Sequence, residues 1–402
     1  MVYPYAVFLA SLVALTLLSF ASPSCCEPGR ADDVLLEEDF EHDPLERGWR
    51  SEKFWDHKDE VSAEWVAGGT PSGKRCVKVS RGMWVSAPMK VEPLAYYRVR
   101  FASNTRRPAV WIMRFFDEDG LEIAADCASG IDASKSWADN ESMAMAREGA
   151  VTARVCFIPM EGPLEIDDVV VTRASRQEVL QWADALYALL PSIPASPQAP
   201  GRWKQLPETM RRLREGKPLR IVALGASIGN DICNSHYGLL IERMYPEVRV
   251  VPIPSIRSMT AADFYEKDDR VREYVLDYEP DLLTIDCYKQ ELPAIRSIIR
   301  QVRKHQPVEV LVTVVCGTGP RSAEDRAGDK QFMAEIAKAA DEDGFGVVDI
   351  RSAWERYVAT APGGRKAFSR DDVHYNDRGK QIVGRMMAGF FAPETSATTT
   401  NE

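Results

Sequence analysis

The feature that most constrains this chain is a regular alternation, from Leu219 to about Ala392, of short apolar runs with amphipathic helical stretches. Strands are expected at "RIVALG", "VRVVPIP", "DLLTIDC", "VEVLVTVVCG" and "FGVVDI". Helices are expected at "HYGLLIERMYP", "DRVREYVLDYEP", "AIRSIIRQVRKHQ", "DKQFMAEIAKAADEDG" and "RGKQIVGRMMAGFF". Strands that are apolar throughout are buried on both faces, so this order implies a parallel, doubly wound sheet with helices on either side. Ligands in such a sheet gather at the carboxyl ends of the strands, and residues there are the first candidates for chemistry.

Three positions fall at those ends. Ser227 follows the first strand in "LRIVALGASIGND", Gln290 follows the third by a few residues, and "SRDDVHYNDRG" sets Asp371 and His374 ahead of the last helix. A serine hydroxyl is a poor nucleophile unless a base takes its proton, and the base works best when a carboxylate holds its tautomer. Asp371 and His374, three apart at a helix entry, supply both from one turn. Of the other histidines, His42 and His57 belong to an earlier segment, His305 occupies a helix C-terminal turn and His236 opens a helix. The structural alternative is that "DDVHYND" merely caps the last helix, with Asn376 or Asp377 as N-cap. "GASIG" also fits the G-x-S-x-G elbow of α/β-hydrolases, but several strands precede that elbow, whereas Ser227 follows the first strand of its segment.

Residues 34–173 read differently. The runs "KRCVKVSR", "YYRVRFAS", "AVWIMRFFDEDG", "ARVCFIPM" and "EIDDVVVTR" alternate with period two between turn residues, the pattern of an antiparallel sandwich. Six of the nine tryptophans lie here, enough for a core and for exposed stacking platforms. Trp111, inside an apolar run, is expected in the core, whereas Trp55 and Trp137 sit in polar surroundings and are the candidates for stacking on a sugar ring. Residues 174–217 form a junction of two short helices around the Pro-rich "SIPASPQAPGR", and residues 394–402 an unstructured tail.

The first 24 residues have an apolar core and small residues after it, the pattern of a secretory leader, and Cys25 offers a possible point of lipid attachment. Beyond Cys25 and its neighbour Cys26, the other six cysteines, Cys76, Cys127, Cys156, Cys233, Cys287 and Cys316, form no CxxC pair, which argues against structural zinc and for buried free thiols. A net charge of -10 without any dominant Lys/Arg block argues against a nucleic-acid partner. No metal or organic cofactor is implied.

Residues 218–393 resemble the SGNH (GDSL-type) hydrolases: "GASIGND" is similar to the family's first block and "DDVHYNDRGKQ" to its last. The opening "EEDFEHDPLERGW" and closing "IDDVVVT" of the preceding segment resemble jelly-roll carbohydrate-binding modules. The resemblance implies a flavodoxin-like three-layer α/β/α domain behind a β-sandwich, acting as an exported serine esterase that removes O-acetyl groups from a polysaccharide. It assigns Ser227 as nucleophile, His374 as base, Asp371 as its orienting carboxylate, and oxyanion donors at Ser258 or Met259 and at Gln290. The chain departs from the family with Ala226 for Asp, "SIRSMTA" where a Gly is usual, and "IDCYKQE" where an Asn is usual, so Gln290 or Lys289 would replace that side chain. The competing reading is a catalytically silent glycan-binding or cell-surface protein, favoured if Asp371 were out of reach of His374. An esterase of lipids or thioesters would require an apolar cleft.

Overall fold

The computed structural model describes residues 33–54, 61–68, 70–194, 201–286 and 291–394. The leader-like start, Cys25, Trp55, Cys287, Lys289, Gln290 and the last eight residues lie outside the described residues.

The first part is a sandwich of two antiparallel sheets. Its strands are β1 (Val34–Glu38), β2 (Arg50–Glu52), β3 (Ser62–Ala67), β4 (Arg75–Arg81), β5 (Met83–Val85), β6 (Met89–Lys90), β7 (Tyr96–Thr105), β8 (Ala109–Phe116), β9 (Glu122–Ile131), β10 (Ala138–Met145), β11 (Thr152–Pro159) and β12 (Leu164–Ala174). One sheet runs β10-β7-β12-β4-β3 with β1 on β12, the other β2-β5-β11-β8-β9 with β6 on β11. The five strands expected from alternation are β4, β7, β8, β11 and β12, all interior to their sheets. Val77, Val99, Met113, Val155, Phe157 and Ile166 from them fill the space between the sheets. Trp49, Trp84 and Trp111 are core residues, with Trp49 stacked on Trp84 at 6.0 Å. Trp65 is partly buried under the Arg75 guanidinium, 4.0 Å from its ring. Trp137, on the connection between β9 and β10, is half-buried.

Alternation did not reveal the short β1, β2, β3, β5 and β6, nor the long β9 and β10, which each end one of the two sheets. The residues of β9 and β10 follow a different rule because the second part of the molecule packs on them: α3 and β14, defined below, on β9, and Leu239 on Met143 and Met145 of β10. Covering two sheet edges removes the unpaired backbone groups that make an edge a site of promiscuous pairing.

The second part comprises α1 (Arg176–Ala188), α2 (Pro207–Arg214), β13 (Leu219–Gly225), α3 (Ser227–Cys233), α4 (Tyr237–Met244), β14 (Val250–Ile256), α5 (Ala262–Tyr265), α6 (Arg270–Tyr274), β15 (Leu282–Asp286), α7 (Leu292–His305), β16 (Glu309–Val314), α8 (Ala323–Asp343), β17 (Gly346–Asp349), α9 (Ile350–Thr360) and α10 (Asp377–Phe390). The sheet is parallel, in the order β14-β13-β15-β16-β17. Ile221 and Ala223 of β13 face a core shared with α4, α9 and α10, while Val222 and Leu224 face a second core shared with α7 and α8. Gly225 is level with Ile256 on one side and Asp286 on the other, so strand order reverses around the end of β13. A crevice outside the strand ends forms at such a point.

The helix expected over "DRVREYVLDYEP" is broken: α6 stops at Tyr274 and a 3-10 turn over Leu276–Tyr278 follows, ending at Glu279 with φ +49°. The helix α8 starts earlier than its apolar pattern, because Ser322 and Asp325 form a reciprocal capping box. α1 packs against α4 and α10. Cys76, Cys127, Cys156, Cys233 and Cys316 are free and buried, in line with the thiol reading.

Candidate active site

Ser227 is the first residue of α3, directly beyond the buried strand β13, and its residue is half-buried. The tight passage from strand to helix depends on small residues. A Cβ on Gly225 would stand 2.4 Å from the Asp286 carbonyl oxygen, so only glycine lets the end of β13 lie this close to β15, and one on Gly229 would stand 1.6 Å from the Asp286 carboxylate, which would have to move aside.

His374 reaches the serine from a turn built almost entirely of satisfied polar groups. The Asp371 Oδ1 accepts from the Val373 and His374 N–H groups, both at 2.8 Å. Thr318 donates its N–H to the Val373 carbonyl at 3.1 Å and its hydroxyl to the Asp371 carbonyl at 2.7 Å. Asn376 caps α10 by accepting from the Gly379 N–H at 3.0 Å, so the capping role weighed from the sequence and the placement of His374 coexist. The His374 Nδ1 lies 2.9 and 2.8 Å from the two Asp371 carboxylate oxygens, and Nε2 lies 2.8 Å from the Ser227 Oγ. A carboxylate facing Nδ1 requires a proton there, which leaves the Nε2 lone pair to accept the serine hydroxyl. Burial alone would raise the Asp371 pKa, but the hydrogen bond and charge of His374, with Arg370 behind, hold it well below the usual carboxylate range. His236, by contrast, is buried beside Tyr96 and Trp182, and burial pushes its pKa down to about 4.

The loop expected to supply oxyanion donors is built differently. The loop after β14 is tied to the serine strand by the Arg257 N–H and the Tyr265 hydroxyl, which donate to the Gly225 carbonyl at 3.1 and 2.6 Å. Beyond that tie Ser258 is exposed, and Met259 is 79% exposed with φ +56°. Met259 thus adopts the left-handed conformation that glycine takes freely, at a cost of about 1–2 kcal/mol for a residue with a Cβ. Ser227 opens a helix, so its N–H belongs to the first-turn donors that an α-helix leaves without an intrahelical partner.

Several residues that shape the site carried no assignment from the sequence. Asn230 and Asp231 are buried and committed: Asn230 to the sandwich through Asp126 and Arg147, and Asp231 to the Tyr375 N–H at 2.9 Å. Arg370 sits 3.9 Å from Asp231 and 3.7 Å from Asp371. Asp286, at the end of β15, is buried, its Oδ1 has no hydrogen-bond partner among the described residues, and burial pushes its pKa up to about 8. A carboxylate ending the otherwise apolar "LLTID" was the available signal for it. A cavity of 330 Å³ adjoins the site, with Ile228, next to the serine, and Val373, next to the histidine, in its wall. Arg321, Arg351 and Asp372 give that wall charged groups beside the apolar Val315 and Pro320.

Fold and site together define a flavodoxin-like α/β/α domain with an aligned serine, histidine and aspartate, joined to an antiparallel sandwich. No protein-family model matches the sequence, and no curated protein matches it significantly. Among solved structures the chain is similar to a two-domain esterase active on acetylated mannans, with 20% identity over 50% of this chain and 56% of that one and a TM-score of 0.39. It is similar to the acetylxylan esterase Axe2 of Geobacillus stearothermophilus, with 18% identity over 44% of this chain and 95% of that one and a TM-score of 0.36. It is also similar to the CBM22-1 xylan-binding domain of Paenibacillus barcinonensis Xyn10C, with 12% identity over 36% of this chain and 97% of that one and a TM-score of 0.28. The chain therefore spans little more than half the length of the two-domain esterase.

Proposed function

We propose that this protein is a serine esterase whose nucleophile is Ser227. The observation that carries this reading is the continuous chain of contacts from Asp371 through both nitrogens of His374 to the Ser227 Oγ, each at 2.8–2.9 Å. In the reaction, Oγ attacks the ester carbonyl carbon as its proton passes to Nε2, and His374 then returns that proton to the leaving alkoxide. Water, deprotonated by His374 in turn, releases the acyl group from Ser227. Asp371 stays ionised throughout and stabilises the imidazolium. The oxyanion is assigned to the Ser227 N–H and the backbone N–H of Ser258 or Met259, with Gln290, outside the described residues, as a further donor.

The substrate assigned is an O-acetylated polysaccharide, on the sequence resemblance to SGNH esterases joined to a sandwich. The charged groups of Arg321, Arg351 and Asp372 in the cavity wall fit a hydroxyl-rich ligand better than an acyl lipid. The leader-like first residues support export, and such a substrate would be met outside the cytoplasm. Attachment through Cys25 remains part of this proposal only as a site of lipidation to be tested. Trp137 is the described candidate for stacking on a sugar.

The test is labelling of the mature protein with a fluorophosphonate and location of the adduct by mass spectrometry. An adduct on Ser227 that is lost in Ser227→Ala and His374→Ala supports the reading, and screening of acetylated glycans follows. A folded protein that takes no label moves the assignment to the silent glycan-binding alternative.

A further inference from the structure

We infer that β9, an edge strand of the sandwich, acts as a ruler that sets the separation of Ser227 and His374. The inference rests on the reading of these two residues as a reacting pair, and makes the sandwich part of the active site rather than an appended module.

The serine side is gripped first. Asn230 of α3 and Asn234, its C-cap, lie four apart and share a face. Their Nδ2 groups donate to the Asp126 carbonyl at 2.9 and 3.0 Å, and the Asn230 Nδ2 also donates to the Asp126 Oδ1 at 3.0 Å. Their Oδ1 atoms both accept from the Arg147 Nη2. Arg147 is buried and belongs to the sandwich: its Nε donates to the Ala125 carbonyl at 2.8 Å and its Nη1 to the Met145 carbonyl at 3.1 Å. Ala125 and Asp126 fall where the pairing of β9 with β8 is irregular, between Cys127 and Ile123. A bulge frees backbone groups and re-aims them, and here they are aimed at the helix behind the nucleophile.

The histidine side is gripped two and three residues further along the same strand. The Lys380 ammonium, buried on α10, donates to the Ala128 carbonyl and to the Asp377 Oδ1. The Asp377 N–H donates to the Ser129 Oγ at 3.1 Å, and the Ser142 hydroxyl of β10 donates to the Asp377 Oδ2 at 2.6 Å. Asp377 opens α10 three residues after His374. At about 3.3 Å per residue, an extended strand holds positions two apart at a separation of about 7 Å. One rigid strand therefore holds the helices behind both reacting side chains. Buried polar networks of this kind enforce one geometry because any slip leaves desolvated groups unpaired. Arg147, Asn234 and Lys380 are accordingly positioning residues: they touch neither the serine hydroxyl nor the imidazole.

The experiment uses the full chain. Asn234→Ala and Arg147→Lys loosen the serine side, and Lys380→Met loosens the histidine side. Each variant is read by thermal melting, by kcat and KM on 4-nitrophenyl acetate, and by the Ser227 Oγ to His374 Nε2 distance in a crystal structure. The expected result is a single cooperative melt, a kcat lowered about 10- to 100-fold, as for a misplacement of about 1 Å, and a KM within about twofold. The contact should open from 2.8 Å to beyond hydrogen-bonding reach. If Lys380→Met does not fold, the milder Asn234→Ala and Arg147→Lys decide the matter. Unchanged kcat and an unchanged contact in those two overturn the proposal. A wild-type protein without esterase activity overturns the reading of the site instead, and the crystallographic distances then decide the spacing role by themselves.

Discussion

The turn that carries His374 and the loop that carries Met259 are both anchored within a few residues of Ser227, yet one is locked and the other is strained and open. In the turn, Asp371, Thr318, Asn376 and Asp231 satisfy the backbone on every side of the imidazole. In the loop, the ties at Arg257 and Tyr265 give way to an exposed Met259 at φ +56°. The difference teaches that the Asp371, His374 and Ser227 array is preorganised by side chains, whereas the loop proposed to supply an oxyanion donor is held by few contacts and tolerates an unexpected residue. Preorganised groups need no rearrangement when charge develops, so the two halves should respond to substitution very differently.

The largest effect is expected on the locked side. Ser227→Ala or His374→Ala should reduce kcat/KM on an aryl acetate by about 10⁴-fold or more, and Asp371→Asn by up to about 10⁴-fold through the wrong imidazole tautomer. Steady-state kinetics on purified variants measures this, and retention of more than a tenth of the activity by any of the three would break the comparison. Gly229→Ala comes next, since its new methyl collides with the Asp286 carboxylate, so that this buried side chain or α3 must shift. A loss of about 1–3 kcal/mol in urea unfolding is expected, together with reduced kcat; a variant as stable and active as wild type would show that α3 has slack.

Asp286 sharpens the comparison through pH. Its carboxyl keeps a proton in the folded chain up to about pH 8, whereas the unfolded chain releases it near the ordinary 3.8. Its contribution to stability is therefore fully present below about pH 4 and is lost as pH rises towards 8. Asp286→Asn should flatten the stability profile in that window, read from unfolding midpoints at several pH values; an unaltered slope would mean that Asp286 ionises freely. Asp371 runs the other way: its depressed pKa contributes stability above the usual carboxylate range that is lost as the solution becomes strongly acidic.

The smallest effect belongs to the open loop. Met259→Gly removes about 1–2 kcal/mol of left-handed strain but adds about 0.5–1 kcal/mol of unfolded-state freedom. The melting temperature should stay level or rise slightly, with kcat within about threefold because a backbone N–H survives the change. A tenfold fall would assign a role to the methionine side chain and remove the contrast between the two halves.

Much of this was legible in the sequence, but unevenly. The interior strands β4, β7, β8, β11 and β12 announced themselves by alternation, while β9 and β10 did not, because "EIAADCASGI" and "ADNESMAM" are patterned to meet a second domain. Asp371 and His374 were visible as a spacing within one turn. Asn230 and Asp231 were visible only as a plausible turn after the serine, and their partners lie 83 to 144 residues away.

By itself the sequence determined the elements with strong apolar periodicity and some of the local geometry: apolar period places Ser227 at the end of a buried strand, and a single turn sets a carboxylate three residues before an imidazole. Those are short-range consequences of sterics and hydrogen bonding along the chain. Tertiary structure alone decided that the serine and histidine, 147 residues apart, meet at 2.8 Å, that Asp286 holds its proton, and that a strand of the sandwich spans the two helices behind the site. Each of these depends on which groups burial brings together and deprives of water, and nothing local to a residue encodes its distant neighbours.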